Sequence, residues 1–400
     1  MSAHGLSMLD VSNVYIYVGD AVRADSLPPS VRDMGLSVRT VAASTHSPTS
    51  FASLATGRYP PHHGVETFSD RLSSNVPTLF QLPAVETSFV NSIFVHAKRQ
   101  HNGQDPIFSV LDLTQSASVG VEDMTEPFIL MERGPGGHAP YGDFTGTAGQ
   151  YFQDRGSLGT DAIRADYRRS IQLDVALFKE RLATLRDAGC LDDTLVIYTS
   201  DHGEMLGENG LLGHNGPMRP ELVYVPTVFV HPSLSSVHLS DRTMHHVDVF
   251  PTVCASLDKD APADIDGRSV LSGFTDEPRP CFWSNRFLPE SVPVLSGRLD
   301  YRGVWDAAGG HVSTLTNPVN RLAVLAGKLL RSSKRSYMRR HVLSCLRAYL
   351  AGKTTYGRPE FSRETAEHIL TAAARKQAES ADVTLSEVDR QHLKDLGYME

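Results

Sequence analysis

The chain has 400 residues, 40% of them hydrophobic and 21% charged, enough for one large core with a smaller appended unit. Its net charge of −8, from 46 acidic and 38 basic side chains, excludes a blanket nucleic-acid binder and a salt-adapted surface, so an anionic ligand has to be met locally. Four scattered cysteines, Cys190, Cys254, Cys281 and Cys345, have neither C-x-x-C nor zinc-finger spacing, and no disulfide framework is expected. The segment Met1 to Asn13 lacks a basic stretch followed by a long apolar core, and no run approaches the roughly 20 apolar residues that span a bilayer; a cytoplasmic location is the expectation.

In chain order, Val14–Val18 (VYIYV) reads as a buried strand that ends in Gly19 and delivers Asp20 to its carboxyl end. Ser44 to Gly64 is a hydroxyl-rich loop leading into a helix start at Phe51–Thr56. Phe128–Met131 reads as a further strand, and Ala162–Ala188 shows helical spacing of Ile171, Val175, Phe178, Leu182 and Leu185, stopped by Gly189. Thr194–Thr199 (TLVIYT) is a second apolar strand that delivers Ser200, Asp201 and His202, and Val225–Val230 is another. Beyond Pro280 the pattern loosens into short strands at Tyr301–Thr316, a basic helical stretch at Pro318–Leu350 and a polar helix at Leu385–Glu400. Strands alternating with helices predict an α/β fold: a large mixed, mostly parallel sheet sandwiched by helices, at 1–280, with a smaller C-terminal α+β or helical unit at 281–400.

Two strand-end features carry chemistry. Asp20 in GDAVRAD and the pair Asp201, His202 in SDHGE, converging on one sheet edge, would offer oxygen and nitrogen ligands to a divalent cation; each alone reads equally well as a helix cap or turn residue. The hydroxyl-rich stretch STHSPTSFASLATG at a helix N-terminus suits an anionic ester and a hydroxyl nucleophile, although an ordinary Ser/Thr cap is the plainer reading and spacing alone does not choose the nucleophile.

TGRYPPHHG resembles the Thr-Gly-Arg-Tyr-Pro-x-x-His-Gly stretch that follows the nucleophile in sulfatases of the alkaline phosphatase superfamily. GDAVRAD, SDHGEMLGENGLLGHNG, GGHAPYG, HHVDVFPTV, DIDGRSVL and the ending HLKDLGYME resemble further family motifs, in the family order and over nearly the whole chain. The resemblance implies an alkaline-phosphatase-like fold in which Asp20, Asp201 and His202 hold one divalent metal ion (Ca, Mg, Mn or Zn), His214 and His138 sit near the leaving group, and Ser47 falls at the nucleophile position. Arg58, and at weaker motif strength Lys98 and His101, correspond to substrate contacts, with an ion pair or a solvated loop as the plainer alternatives. Three departures stand out. Ser47 is followed by Pro48-Thr49-Ser50-Phe51, without the small residue and arginine of the formylglycine signal; Ala21 replaces a metal-binding aspartate; and His202 replaces a frequent asparagine. The expectation is therefore a hydrolase of a sulfate or phosphate ester using the unmodified Ser47 hydroxyl, with Thr49 and Thr45 next in line. The alternatives are a phospho-group transferase to an alcohol and a catalytically idle binding protein. Expected partners are a small-molecule, carbohydrate or lipid ester and no nucleic acid; the basic stretch Arg331 to Arg347 either contacts an anionic surface or, more plainly, forms a solvated helix face.

Overall fold

Seven consecutive residues of β1 (Asn13–Gly19) are buried, which is what an uninterrupted apolar run achieves when both faces of its sheet are covered. The computed structural model that shows this describes residues 5–93, 105–115, 118–287, 297–375, 381–382 and 385–396. The other strands of the large sheet are β2 (Leu36–Val41), β3 (Glu86–Asn91), β4 (Phe128–Gly134), β5 (Thr194–Ser200), β6 (Tyr224–Val230) and β7 (Val237–His245), in the order β7-β2-β6-β5-β1-β4-β3. Six strands run one way and β6 runs against them, pairing antiparallel with both β2 and β5. The mixed, mostly parallel sheet expected from the sequence is therefore present.

Strand alternation divides the core. Val14, Ile16 and Val18 join Leu195 and Ile197 on the face covered by α1 (Ser47–Thr56) and by α3 (Val249–Ser256). Tyr15, Tyr17 and Tyr198 point the other way, under the 28-residue α2 (Thr160–Asp187), which buries Ile163, Tyr167, Ile171, Val175, Phe178, Leu182 and Leu185 at spacings of three and four. A buried aromatic such as Phe178 contributes about 1.5–3 kcal/mol of transfer free energy, and α2 rests on several side chains of that class rather than on helix propensity.

From Arg279 onward a second, antiparallel sheet forms from β8 (Arg279–Arg286), β9 (Arg298–Trp305), β10 (Gly309–Thr314) and β11 (Lys353–Gly357). The helical stretch seen in the sequence at Pro318–Leu350 is three helices, α4 (Pro318–Arg331), α5 (Arg335–Arg340) and α6 (Val342–Leu350), followed by α7 (Arg363–Ala373). This part shares a core with the loops after β5: Met205, Leu211 and Met218 pack with Trp283, Tyr301, Trp305, Val324 and Met338. It is also stitched to the end of β2 by the Phe282 amide, which donates to the Ala43 carbonyl at 2.9 Å. All four cysteines are buried free thiols. No described helix is long and apolar enough to cross a membrane.

Candidate active site

The parallel strands end at a common edge, and the pairing brings Gly19 opposite both Ser200 and Gly134. Asp20 and Asp201, each one residue beyond its strand, are thereby neighbours, although 180 residues of chain separate them. The turn after β1 is held tightly. Ala21 has φ 57°, and the Gly137 amide donates to the Asp20 carbonyl at 2.7 Å. A Cβ on Gly136 (φ 55°) would lie 1.9 Å from that carbonyl oxygen, so only glycine permits the approach. Asp201 Oδ1 accepts the amides of Ala21 (2.9 Å) and His202 (2.8 Å); Oδ2 is buried without a hydrogen bond, 3.5 Å from His202 Nε2. Ligand atoms of Asp20, Asp201 and His202 all lie within 4.8 Å of one another, and all three residues are fully buried.

Arg133, the penultimate residue of β4, lies at the same edge and is buried. Its Nε and one terminal nitrogen donate to Asp20 Oδ2 at 3.1 and 2.5 Å, and the other terminal nitrogen donates to Asp105 Oδ2 at 3.1 Å. The guanidinium carbon stands 5.6 Å from the centroid of the Phe51 ring. The arginine that the resemblance leads one to seek at position 51 of α1 is thus replaced by an apolar ring, while a strand supplies a guanidinium to the same aspartate. Among the described residues, three carboxylates, Asp20, Asp105 and Asp201, gather around this guanidinium in a buried volume. Burial and the Asp20 charge together raise the pKa of Asp201. Asp20, Asp201 and His202 would hold a divalent cation, which would offset negative charge there; the buried oxygen and nitrogen donor set fits such an ion.

Helix α1 begins four residues earlier than its apolar pattern suggests. His46 is extended (φ −145°), Pro48 occupies the first turn, where no intrahelical N–H is required, and Gly57 (φ 66°) ends the helix. Ser47 is therefore the first helical residue, fully buried, with its Oγ 3.2 Å from His202 Nε2. His202 Nδ1 lies 2.8 Å from the Gly203 carbonyl, which only accepts, so Nδ1 donates to it; with Nε2 unprotonated, a lone pair there faces the site. That lone pair serves either the Ser47 hydroxyl or a metal ion. Thr49, by contrast, spends its hydroxyl on the Glu66 carbonyl at 3.0 Å.

Imidazoles wall the opposite side. The rings of His202 and His214 are 4.4 Å apart, and those of His214 and His138 are 5.4 Å apart. Burial lowers the pKa of His138 to about 4, and burial with the neighbouring imidazoles and Lys334 pushes His214 well below its usual range, so both are neutral at pH 7. His214 Nδ1 lies 3.5 Å from Glu204 Oε2. Burial raises Glu204 to about 8 against the opposing pull of Lys334. Lys334, in the turn between α4 and α5, is itself buried, and a Cβ on Gly213 (φ 78°) would come within 2.3 Å of its Nζ.

The structure thus brings together Asp20, Ser47, Asp201, His202, His138 and His214. It does not bring Arg58 to them: that residue follows α1 at the end opposite Ser47, about 15 Å away at 1.5 Å per residue, and pairs with Asp264 at 3.4 Å. Lys98 and His101 lie outside the described residues. Sequence reasoning missed Arg133, Glu204 and Lys334. Glu204 was readable as the last residue of SDHGE. Arg133 stood just past a strand assigned too short, and Lys334 was folded into a basic stretch read as solvated. Beside the N-terminal turn of α1 lies a cavity of about 470 Å³, lined among others by Ser44, Thr49, Glu66, Trp283, Asp300 and Tyr301.

Comparison with known proteins gives a concordant picture. The sulfatase family model matches residues 109–258. The low-salt glycan biosynthesis sulfotransferase Agl7 of Haloferax volcanii is 29% identical over 403 residues, which covers 97% of this chain and 96% of that protein. A 2-O GAG sulfatase superposes with a TM-score of 0.56 at 14% identity, covering 83% of this chain and 93% of the other. The phosphonate monoester hydrolase of Agrobacterium radiobacter superposes with a TM-score of 0.55 at 16% identity, covering 87% of this chain and all of the other.

Proposed function

The chain belongs to the sulfatase family of the alkaline phosphatase superfamily, and from that premise we propose that it transfers a sulfuryl group between a carbohydrate hydroxyl and a second oxygen, with Ser47 as the covalent carrier. The observation that carries the reading is the placement of the Ser47 hydroxyl, at the N-terminus of a ten-residue helix and 3.2 Å from a residue of the ligand cluster. Asp20, Asp201 and His202 would hold a divalent ion, which when bound neutralises ester oxygens and makes a nearby hydroxyl more acidic.

Ser47 Oγ attacks the ester sulfur in line, and the bond from sulfur to the departing oxygen breaks. One proton passes, net, from Ser47 to that oxygen; His214 and His138, neutral and adjacent, are placed to relay it. In the second half an acceptor O–H attacks the sulfur on Ser47 and the proton returns to Oγ. Lys334 and Arg133 supply the positive charge that keeps an anion in a buried site. A carbohydrate partner is supported by the name of the chain-long relative and by the cavity next to α1, where the indole of Trp283 and the phenol of Tyr301 stand near hydroxyl and carboxylate groups.

Transfer to an alcohol is favoured over transfer to water because Asp20, Ser47, Asp201 and His202 have no exposure, and a closed site suppresses hydrolysis of a reactive intermediate. Hydrolysis is the second reading, favoured by the names of the superposed sulfatase and phosphonate hydrolase. The test is a panel of aryl sulfate, phosphate and phosphonate esters, each with and without sugar acceptors and divalent ions, run on wild type and Ser47→Ala. Acceptor-dependent, Ser47-dependent release from the sulfate ester is expected. Equal release without acceptor selects hydrolysis, and preference for a phosphorus ester rejects the sulfuryl assignment.

A further inference from the structure

Helix α4 faces the wrong way for an ordinary surface helix. Its inward positions include Asn320, Arg321 and Lys328 beside Val324 and Leu325, while its outward stripe is Val319, Leu322, Ala326 and Leu330, spaced by three and four residues. Helix α6, packed beside it, turns out Leu343 and Leu350 with Arg347 between them. Val319, Leu330 and Leu343 are 66%, 67% and 71% exposed. Of the nine exposed large apolar side chains among the described residues, six fall between Leu315 and Leu350, so the apolar exposure is concentrated rather than scattered.

Charge is concentrated on the same stretch. Between Asp306 and Glu360 there is no acidic residue and there are ten lysines and arginines, in a chain whose net charge is −8. Arg331, Arg339, Arg340 and Arg347 are exposed, and among the described residues no carboxylate pairs with any of them; Arg339 Nε donates to the Leu329 carbonyl at 2.7 Å and Arg340 to that of Gly156.

We propose that the outward face of α4 and α6 docks on an anionic lipid surface, with the leucines entering the interface and the arginines meeting the headgroups. Exposed aliphatic side chains interspersed along the chain with exposed arginines, on helices too short to cross a bilayer, are the composition of an interfacial segment. A second copy of the chain would set arginine against arginine across a two-fold axis, and single-stranded nucleic acid is gripped by stacking aromatics, whereas the exposed apolar residues here are aliphatic. The same segment carries the buried Lys334, so docking would orient the catalytic edge toward a surface-borne substrate.

The test is co-sedimentation of the full chain with phosphatidylcholine vesicles with and without phosphatidylglycerol, at low and high salt. Two double variants accompany it, Leu330→Ser/Leu343→Ser and Arg331→Ser/Arg347→Ser; both lie outside the catalytic cluster, and their folding is checked by circular dichroism. Wild type is expected to bind only the phosphatidylglycerol vesicles and to release at high salt. At about five-fold per arginine near an anionic surface, the arginine pair should weaken binding roughly 30-fold. Absence of binding by folded wild type overturns the proposal, as does binding unaffected by both double variants. It is also overturned if the chain ignores vesicles and instead self-associates through these leucines in sedimentation velocity, or binds an oligonucleotide in their place.

Discussion

Replacing Arg133 by methionine removes the guanidinium that Asp20 and Asp105 share and leaves both carboxylates in a site where all three residues are at most 2% exposed. Breaking a buried pair by deleting one partner costs about 3–5 kcal/mol, because the remaining charge is neither hydrated nor neutralised. The control is Arg32→Met, whose pair with Asp33 is half exposed and is worth under about 1 kcal/mol. Urea unfolding at pH 7 in a chelator, followed by the fluorescence of the buried Trp283 and Trp305, separates the two. Arg133→Met should lose about 3–5 kcal/mol and regain part of it when millimolar divalent cation is added, since among the described residues the edge then carries three carboxylates without this guanidinium. A loss below about 1 kcal/mol in chelator, or a loss that divalent ions leave untouched, refutes the charge count on which the cation site rests.

Lys334→Met should preserve the fold, because methionine nearly matches the buried lysine in length and its end can still pack on the Phe152 ring that Nζ faces at 4.7 Å, yet lower turnover of an anionic donor by about 10–100-fold, with the effect read in kcat/KM; unchanged kcat/KM would remove Lys334 from the site. Asp174, which accepts from Tyr17, Tyr198 and the Gly136 amide, is raised to about 6 by burial. Since the folded state holds this proton more tightly than the unfolded chain, stability is lost as pH rises from about 4 through 6, by about 3 kcal/mol for two pKa units. Asp174→Asn should therefore gain on wild type by up to that amount between pH 4.5 and 7 in urea unfolding. Parallel pH profiles for the two proteins would contradict it.

What the sequence disclosed, and what it hid, follows from where each residue's partner lies. Val14–Val18 and Thr194–Thr199 were legible because a parallel strand covered on both faces is apolar throughout, and the acids that end them announced a shared edge. The end of β4 was not legible, since Glu132 and Arg133 break the apolar run. They are nevertheless buried because Tyr15, Ser92 and Arg181 satisfy the first and Asp20 and Asp105 the second. Edge strand β7, with polar side chains along most of its length, gave no periodic signal. Arg58 matched a motif, but its carboxylate partner Asp264 is distant in the chain and invisible to spacing. In the stretch from Arg331 to Arg347, charge alone could not tell inward Lys334 from outward Arg331; only the packing of α4 to α6 separates them.

The account rests on Ser47 as the group that becomes covalently loaded. The most direct measurement is rapid acid quench during turnover, followed by peptide mass spectrometry of residues 44–58, with Ser47→Ala in parallel. A sulfuryl group on Ser47 and a loss of at least about 1,000-fold in kcat for the alanine variant are predicted. Activity of Ser47→Ala within about ten-fold of wild type, or the modification found on Thr45 or Thr49 instead, would contradict it.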